Sequence, residues 1–184
     1  AKKYYPDGVE VFELDHSTAL HKTNLLLQKD DVIIFEAALE YAGCFIRVDI
    51  LEKKGNRFNL IEVKAKSFKS NDEFYKKRGG ISSNWKPYLW DVAFQTWLMR
   101  NVFPEAEIHP YLMLADKNKT ATVSELNQKF RIIKNDRGRI EVVENTNLTD
   151  EDLGDKILTA VNVEDAVDLI LSNEEKPGKN PRPD

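Results

Sequence analysis

The sequence predicts an α/β fold, a central mixed β-sheet flanked by helices. Three observations predict it. Two runs rich in β-branched and aromatic residues, 45–51 and 58–64, are separated by a short polar turn. An almost wholly apolar segment opens at Pro87, and another strand-like run follows it at 107–115. Strands placed before and after such a helix assemble into one sheet with helical cover.

Each element has a local reason. Residues 17–28 read as a helix, because Ser17 or Thr18 can cap it and leucines recur near helical spacing. Residues 32–39 read as a strand, with Ile33, Ile34 and Phe35 as a buried run. Residues 44–52 and 57–65 make a hairpin around Lys53-Lys54-Gly55-Asn56. Residues 66–86 are polar and contain Gly79-Gly80, so a mobile loop is expected there. Pro87 suits the first turn of a helix reaching residue 101. That helix is apolar almost all round, as a buried helix is, which assigns Trp90 and Trp97 to the core. After the strand at 107–115, residues 130–134 and 139–143 suggest a second hairpin about Asn135-Asp136-Arg137-Gly138. Asn162 is placed to cap a last helix, 163–171, with Glu164 and Asp165 in its first turn. Residues 1–171 thus make one α/β domain, and 172–184 have the polar, proline-rich composition of a tail or linker. A start at Ala1 and such a tail suggest a segment of a longer polypeptide.

With 184 residues the chain can bury a real core. Its apolar runs are too short to span a bilayer, no secretory pattern opens it, and its single cysteine, Cys44, excludes an internal disulfide framework. A cytoplasmic protein without membrane partners is expected. The three histidines are scattered with no cysteines clustered near them, which argues against structural zinc. The net charge of −4 is uneven: between Arg47 and Lys86 eleven Lys/Arg face five Asp/Glu, leaving 16 against 26 elsewhere. A basic belt therefore surrounds the middle of an otherwise acidic chain. On charge alone, a solvated lysine-rich loop explains it equally well.

Within that belt, one constellation stands out. Strand side chains alternate faces, so Asp49 shares a face with Leu51, and Glu62 and Lys64 share one with Phe58 and Leu60. A four-residue loop sets Asp49 opposite Leu60 and makes Glu62 its diagonal neighbour, roughly 7–8 Å away at Cα. Charges on so apolar a surface need partners. A divalent cation would serve, with Asp49 and Glu62 as ligands and the Val63 carbonyl completing the set; such oxygens suit Mg²⁺ or Mn²⁺. Lys64 would then stabilise charge developing on a phosphodiester. The alternative is an all-protein network in which Arg47 pairs with Glu62 and Lys64 with Asp49. On the following helix Asp91 and Gln95, four residues apart, form one narrow polar stripe. A buried Gln95 needs partners, which an active-site phosphate or water would supply, or the protein backbone.

Asp49, then Glu62-Val63-Lys64, then Gln95 on the next helix resembles the PD-(D/E)xK nuclease superfamily. The similarity is greatest to its RecB-like branch, and the strings FIRVDILEK, LIEVKAKS and YLWDVAFQ look like an uncharacterised bacterial family within it. The resemblance covers roughly residues 4–114. It implies a restriction-endonuclease-like core and a Mg²⁺- or Mn²⁺-dependent nuclease domain acting on DNA within a larger DNA-processing protein. It also implies Asp49 and Glu62 as metal ligands, Lys64 as the catalytic lysine and Gln95 as the helical glutamine. The branch usually has tyrosine four residues after that glutamine; Met99 stands there. An upstream ligand is often supplied as well, for which Glu36 and His21 are the candidates. Lys53, Lys54, Arg57, Lys66 and Lys69 would meet phosphates independently of sequence. A nuclease-like fold that binds nucleic acid or a partner without cutting is the alternative.

Overall fold

Chain order and register build one sheet around the central antiparallel strands. The computed structural model describes residues 1–134, 140–144 and 148–172. The strands β1 (Val9–Glu10), β2 (Asp31–Tyr41), β3 (Cys44–Lys54), β4 (Arg57–Phe68), β5 (Glu107–Asp116) and β8 (Leu158–Asn162) stand in the order β1-β2-β3-β4-β5-β8. β2, β3 and β4 form an antiparallel meander; β1 pairs parallel with β2, β4 parallel with β5, and β5 antiparallel with β8. The parallel β4–β5 pair needs a crossover, and α2 (Lys86–Val102) supplies it. A separate hairpin joins β6 (Phe130–Lys134) to β7 (Ile140–Glu144), as the sequence suggests; its turn lies outside the described residues. Of the expected tail, only Ser172 is described.

Local chemistry explains the helix ends. α1 (His16–Leu26) is capped by Asp15, two or three residues before the expected Ser17 or Thr18: its Oδ1 accepts from the Thr18 N–H at 2.9 Å and from the Ser17 and Thr18 hydroxyls. α3 covers Asp150–Leu153. α4 (Glu164–Leu171) begins one residue later than predicted, although Asn162 Oδ1 does accept from the Glu164 N–H at 2.9 Å.

Two expectations are corrected. The first concerns the segment after β4, which is anchored: Phe74, Ile81 and Trp85 are each at most 3% exposed. Phe74 packs between Phe68 and Trp85, and Gly79 and Gly80 adopt positive φ to close a turn beneath the Tyr75–Ile81 bridge. Widely spaced apolar residues, Phe74, Ile81 and Trp85, were hidden there among lysines and polar residues. The second concerns α2, which is not buried all round. Leu89, Val92, Ala93, Leu98 and Met99 enter the core, whereas Trp90, Phe94 and Trp97 face solvent.

Leu51, Leu60, Leu89, Leu98, Leu112 and Leu114 form the centre of the main core, between the sheet and α2. A smaller cluster of Phe35, Ile50, Ile61 and Met113 covers the other face. Among the described residues no helix is long and apolar enough to cross a membrane.

Candidate active site

The β3–β4 turn is tighter than the sequence suggests. Lys54 pairs with Arg57, so the loop is Gly55-Asn56 alone, with Gly55 at φ +56. The register therefore runs Leu51↔Leu60 and Ile50↔Ile61, two residues away from the expected alignment. Carried one step further, it sets Asp49 opposite Glu62 rather than diagonal to it.

At that step the sheet comes apart. The β3–β4 ladder ends at Ile50–Ile61; below it β3 pairs only with β2, and β4 only with β5. The Val63 N–H, freed by this fork, donates to Asp49 Oδ2 at 2.7 Å. On the β5 side the register slips between Val63↔Met113 and Ser67↔Ala115, leaving extra β4 residues at Lys64, Ala65 and Lys66. On the β2 side Glu36 interrupts the ladder with Asp49 and takes φ +57, a conformation uncommon for a residue with Cβ. Bulges and strained residues collect where side chains must be re-aimed. Three such irregularities share one level of the sheet.

Around the fork the polar side chains close a ring. Lys64 Nζ donates to Glu62 Oε1 at 2.6 Å and to Asp91 Oδ2 at 2.7 Å. Gln95 Nε2 donates to Glu62 Oε2 at 2.9 Å and to Asp91 Oδ1 at 3.3 Å. Each carboxylate thus accepts from the same two donors, one on each oxygen. Facing two acceptors, the Gln95 amide must point its nitrogen at them, and its Oε1 is left buried with no hydrogen-bond partner among the described residues. Glu62 and Gln95 are only 6% and 5% exposed.

Burial pushes the Asp49 carboxyl above its usual range; the Val63 N–H opposes this, and the nearby Glu36 carboxylate adds to it. Burial likewise raises Glu62, with Lys64 opposing and Asp49 reinforcing. Lys64 loses hydration too, yet its bonds to Asp91 and Glu62 hold the ammonium well above its ordinary pKa. Two carboxylates that repel each other in a desolvated place would both gain from a cation.

The structure brings Asp49, Glu62, Val63, Lys64 and Gln95 to one place. Asp91 joins them as a partner that sequence reasoning left out of the site; its spacing of four from Gln95 was the available signal. Glu36 stands beside Asp49, although its Oε2 lies 3.4 Å from Arg47 Nε. Arg47 does not pair with Glu62: its guanidinium donates to the carbonyls of Val11 and Glu13 at 2.6 and 2.7 Å. The anticipated Arg47–Glu62 and Asp49–Lys64 pairing is therefore not the one formed. His21 is exposed on α1 and, among the described residues, makes no hydrogen bond or ion pair. The basic belt divides: Arg57 lies five strand residues from Glu62, about 16 Å, so Lys53, Lys54 and Arg57 gather at the far end of the hairpin. Lys66 and Lys69 lie two and five residues after Lys64.

Among the described residues no three or more His, Cys, Asp or Glu side chains are grouped to hold a metal. Lys64 and Gln95 occupy the oxygens that Glu62 would offer. Mg²⁺ keeps several waters and often takes only one or two carboxylates, so the oxygen set of Asp49, Glu62 and a backbone carbonyl still suits it. No family model, no curated protein and no solved structure matches this chain.

Proposed function

We propose that this chain is a Mg²⁺- or Mn²⁺-dependent nuclease domain of the PD-(D/E)xK type, within the RecB-like branch, hydrolysing DNA phosphodiester bonds as part of a larger DNA-processing protein. The observation that carries this reading is the ring joining Glu62, Lys64, Asp91 and Gln95 beside Asp49 at the fork of β3 and β4. A mixed sheet that delivers all these residues to one level is consistent with a restriction-endonuclease-like core.

In this reading Asp49, Glu62 and the Val63 carbonyl would hold the cation; Glu36, the candidate upstream ligand, stands beside Asp49 but is paired with Arg47 and does not complete a three-carboxylate group. Bound there, the ion would acidify a water and offset charge on the phosphate. Lys64, kept protonated by Asp91, stabilises negative charge as it builds on the phosphoryl oxygens. Gln95 Oε1, without a hydrogen-bond partner among the described residues, would accept from the attacking water and orient it.

A second reading, a nuclease-like domain that binds nucleic acid or a protein without cutting, draws on Lys64 and the Gln95 amide nitrogen filling the Glu62 and Asp91 oxygens and on buried Met99 at the usual tyrosine position. Incubation of labelled single- and double-stranded DNA with Mg²⁺ or Mn²⁺ tests the choice. Cleavage that drops by about 100-fold or more in Lys64→Ala and Asp49→Asn supports the nuclease. Cleavage unchanged from the wild type in both variants would exclude this site.

A further inference from the structure

Helix α2 turns an aromatic face to solvent. Trp90, Phe94 and Trp97 are 50%, 44% and 36% exposed and recur at intervals of four and three. At a rise of 1.5 Å per residue they make one stripe about 10 Å long. Phe94 and Trp97 stack with centroids 5.9 Å apart, and Tyr41 of β2 meets Trp97 edge-on at 5.7 Å. The outer face of a surface helix ordinarily carries charge. Contiguous exposed rings mark a place that binds something.

Two neighbours indicate what it binds. The stripe borders the carboxylate ring: Trp90 and Phe94 immediately precede Asp91 and Gln95, and the half-exposed Asp91 marks the boundary. Ammonium groups also interleave with rings at this end of α2. Lys86 Nζ lies 4.6 Å from the Trp90 ring centre, and Lys66 Nζ lies 4.7 Å from that of Trp85 and 4.9 Å from that of Tyr88. Lysine is depleted in protein–protein interface cores. Rings for bases combined with ammonium groups for phosphates fit an unpaired strand, whereas a duplex keeps its base faces stacked inside.

We propose that the Trp90–Phe94–Trp97 face, extended by Tyr41, is a stacking platform for unpaired bases, which makes single-stranded nucleic acid the substrate class of the adjoining carboxylate site. The word substrate rests on the nuclease reading; the binding itself requires no cleavage.

The test is titration of tryptophan fluorescence with oligothymidylate, and separately with a hairpin duplex, in EDTA so that nothing is cut. The single strand should quench the exposed indoles. Trp90→Leu combined with Trp97→Leu, read by a labelled oligonucleotide, should weaken single-strand binding by about fivefold to 150-fold per ring removed, while duplex binding stays constant. Phe94→Leu, a milder change, should move the same way if the double variant folds poorly by circular dichroism. Unchanged single-strand affinity in these variants overturns the platform. So does a parallel loss for single strand and duplex, or sedimentation showing that the stripe instead joins two copies of the chain. Assaying the wild type for metal-dependent cleavage separates the two proposals. If the ring variants lose single-strand affinity while the wild type shows no metal-dependent cleavage, the platform stands and the nuclease falls. If the wild type cleaves but the ring variants bind as before, the reverse holds.

Discussion

Lys64 on β4 and Gln95 on α2 share both of their acceptors, each donating to Glu62 and to Asp91. The sheet and the crossover helix are thereby tied at the fork through four side chains. Because Asp91 takes one bond from each donor, Lys64 and Gln95 keep a fixed partner even when Glu62 is engaged elsewhere.

The first prediction follows from that tie. Asp91→Ala removes two hydrogen bonds, one of them to a charged group, but the Asp91 side chain is 41% exposed and solvent screens the pair. A loss of about 1 kcal/mol is expected, or about 2–4 °C in Tm for a domain of this size. If cleavage is confirmed, kcat should fall more than KM rises, because Lys64 loses its anchor. A rise confined to KM would show that Asp91 contributes to substrate binding alone.

The second concerns pH. Folding raises the Asp49 and Glu62 pKa values, so the folded chain binds protons more tightly than the unfolded one. Stability from these groups is therefore present at low pH and is lost as pH rises from the ordinary carboxylate range through the raised values. Asp49→Asn keeps an acceptor for the Val63 N–H and removes the charge. Its Tm should exceed that of the wild type at pH 7, and the difference should shrink towards pH 4. A lower Tm at pH 7 would mean that Asp49 is already neutralised by a protein partner.

Metal addition should reverse this order. At a free concentration 100 times Kd, Mn²⁺ or Mg²⁺ should stabilise the wild type by about 2.7 kcal/mol, and Asp49→Asn or Glu62→Gln should abolish the gain. Calorimetric titration that finds no carboxylate-dependent binding would favour the domain that does not cut.

The last prediction tests the fold behind the site. A Cβ at Gly8 would lie 2.3 Å from the buried Phe35 ring, which immediately precedes Glu36. Gly8→Ala should cost about 1–3 kcal/mol in urea unfolding, and less in Phe35→Leu, where the ring is gone.

Much of this architecture was legible in the chain. Alternation marked β3 and β4, Pro87 marked the start of α2, and a shared strand face for Asp49, Glu62 and Lys64 was readable from spacing, whereas Gln95 was grouped with them by the resemblance. The register was not readable, because a turn of two residues and one of four fit the same Lys53–Asn56 string; the Lys54–Arg57 pairing decides between them. β1 escaped notice at two residues, and β8 because its partner β5 is remote in sequence. Asp91 was visible as a polar position on α2, yet its role depends on the β4 bulge aiming Lys64 towards it, which no local pattern encodes. The aromatic stripe was misread because rings exposed for binding and rings buried for packing share the same helical spacing.

The fork also bears on the order in which the centre would be loaded. With all groups ionised, Glu36, Asp49, Glu62 and Asp91 against Arg47 and Lys64 leave a charge of −2. A polyanion arriving first meets repulsion there, and one divalent ion cancels it. Preincubation with Mn²⁺ should therefore shorten any lag before strand scission, and preincubation with nucleic acid should not.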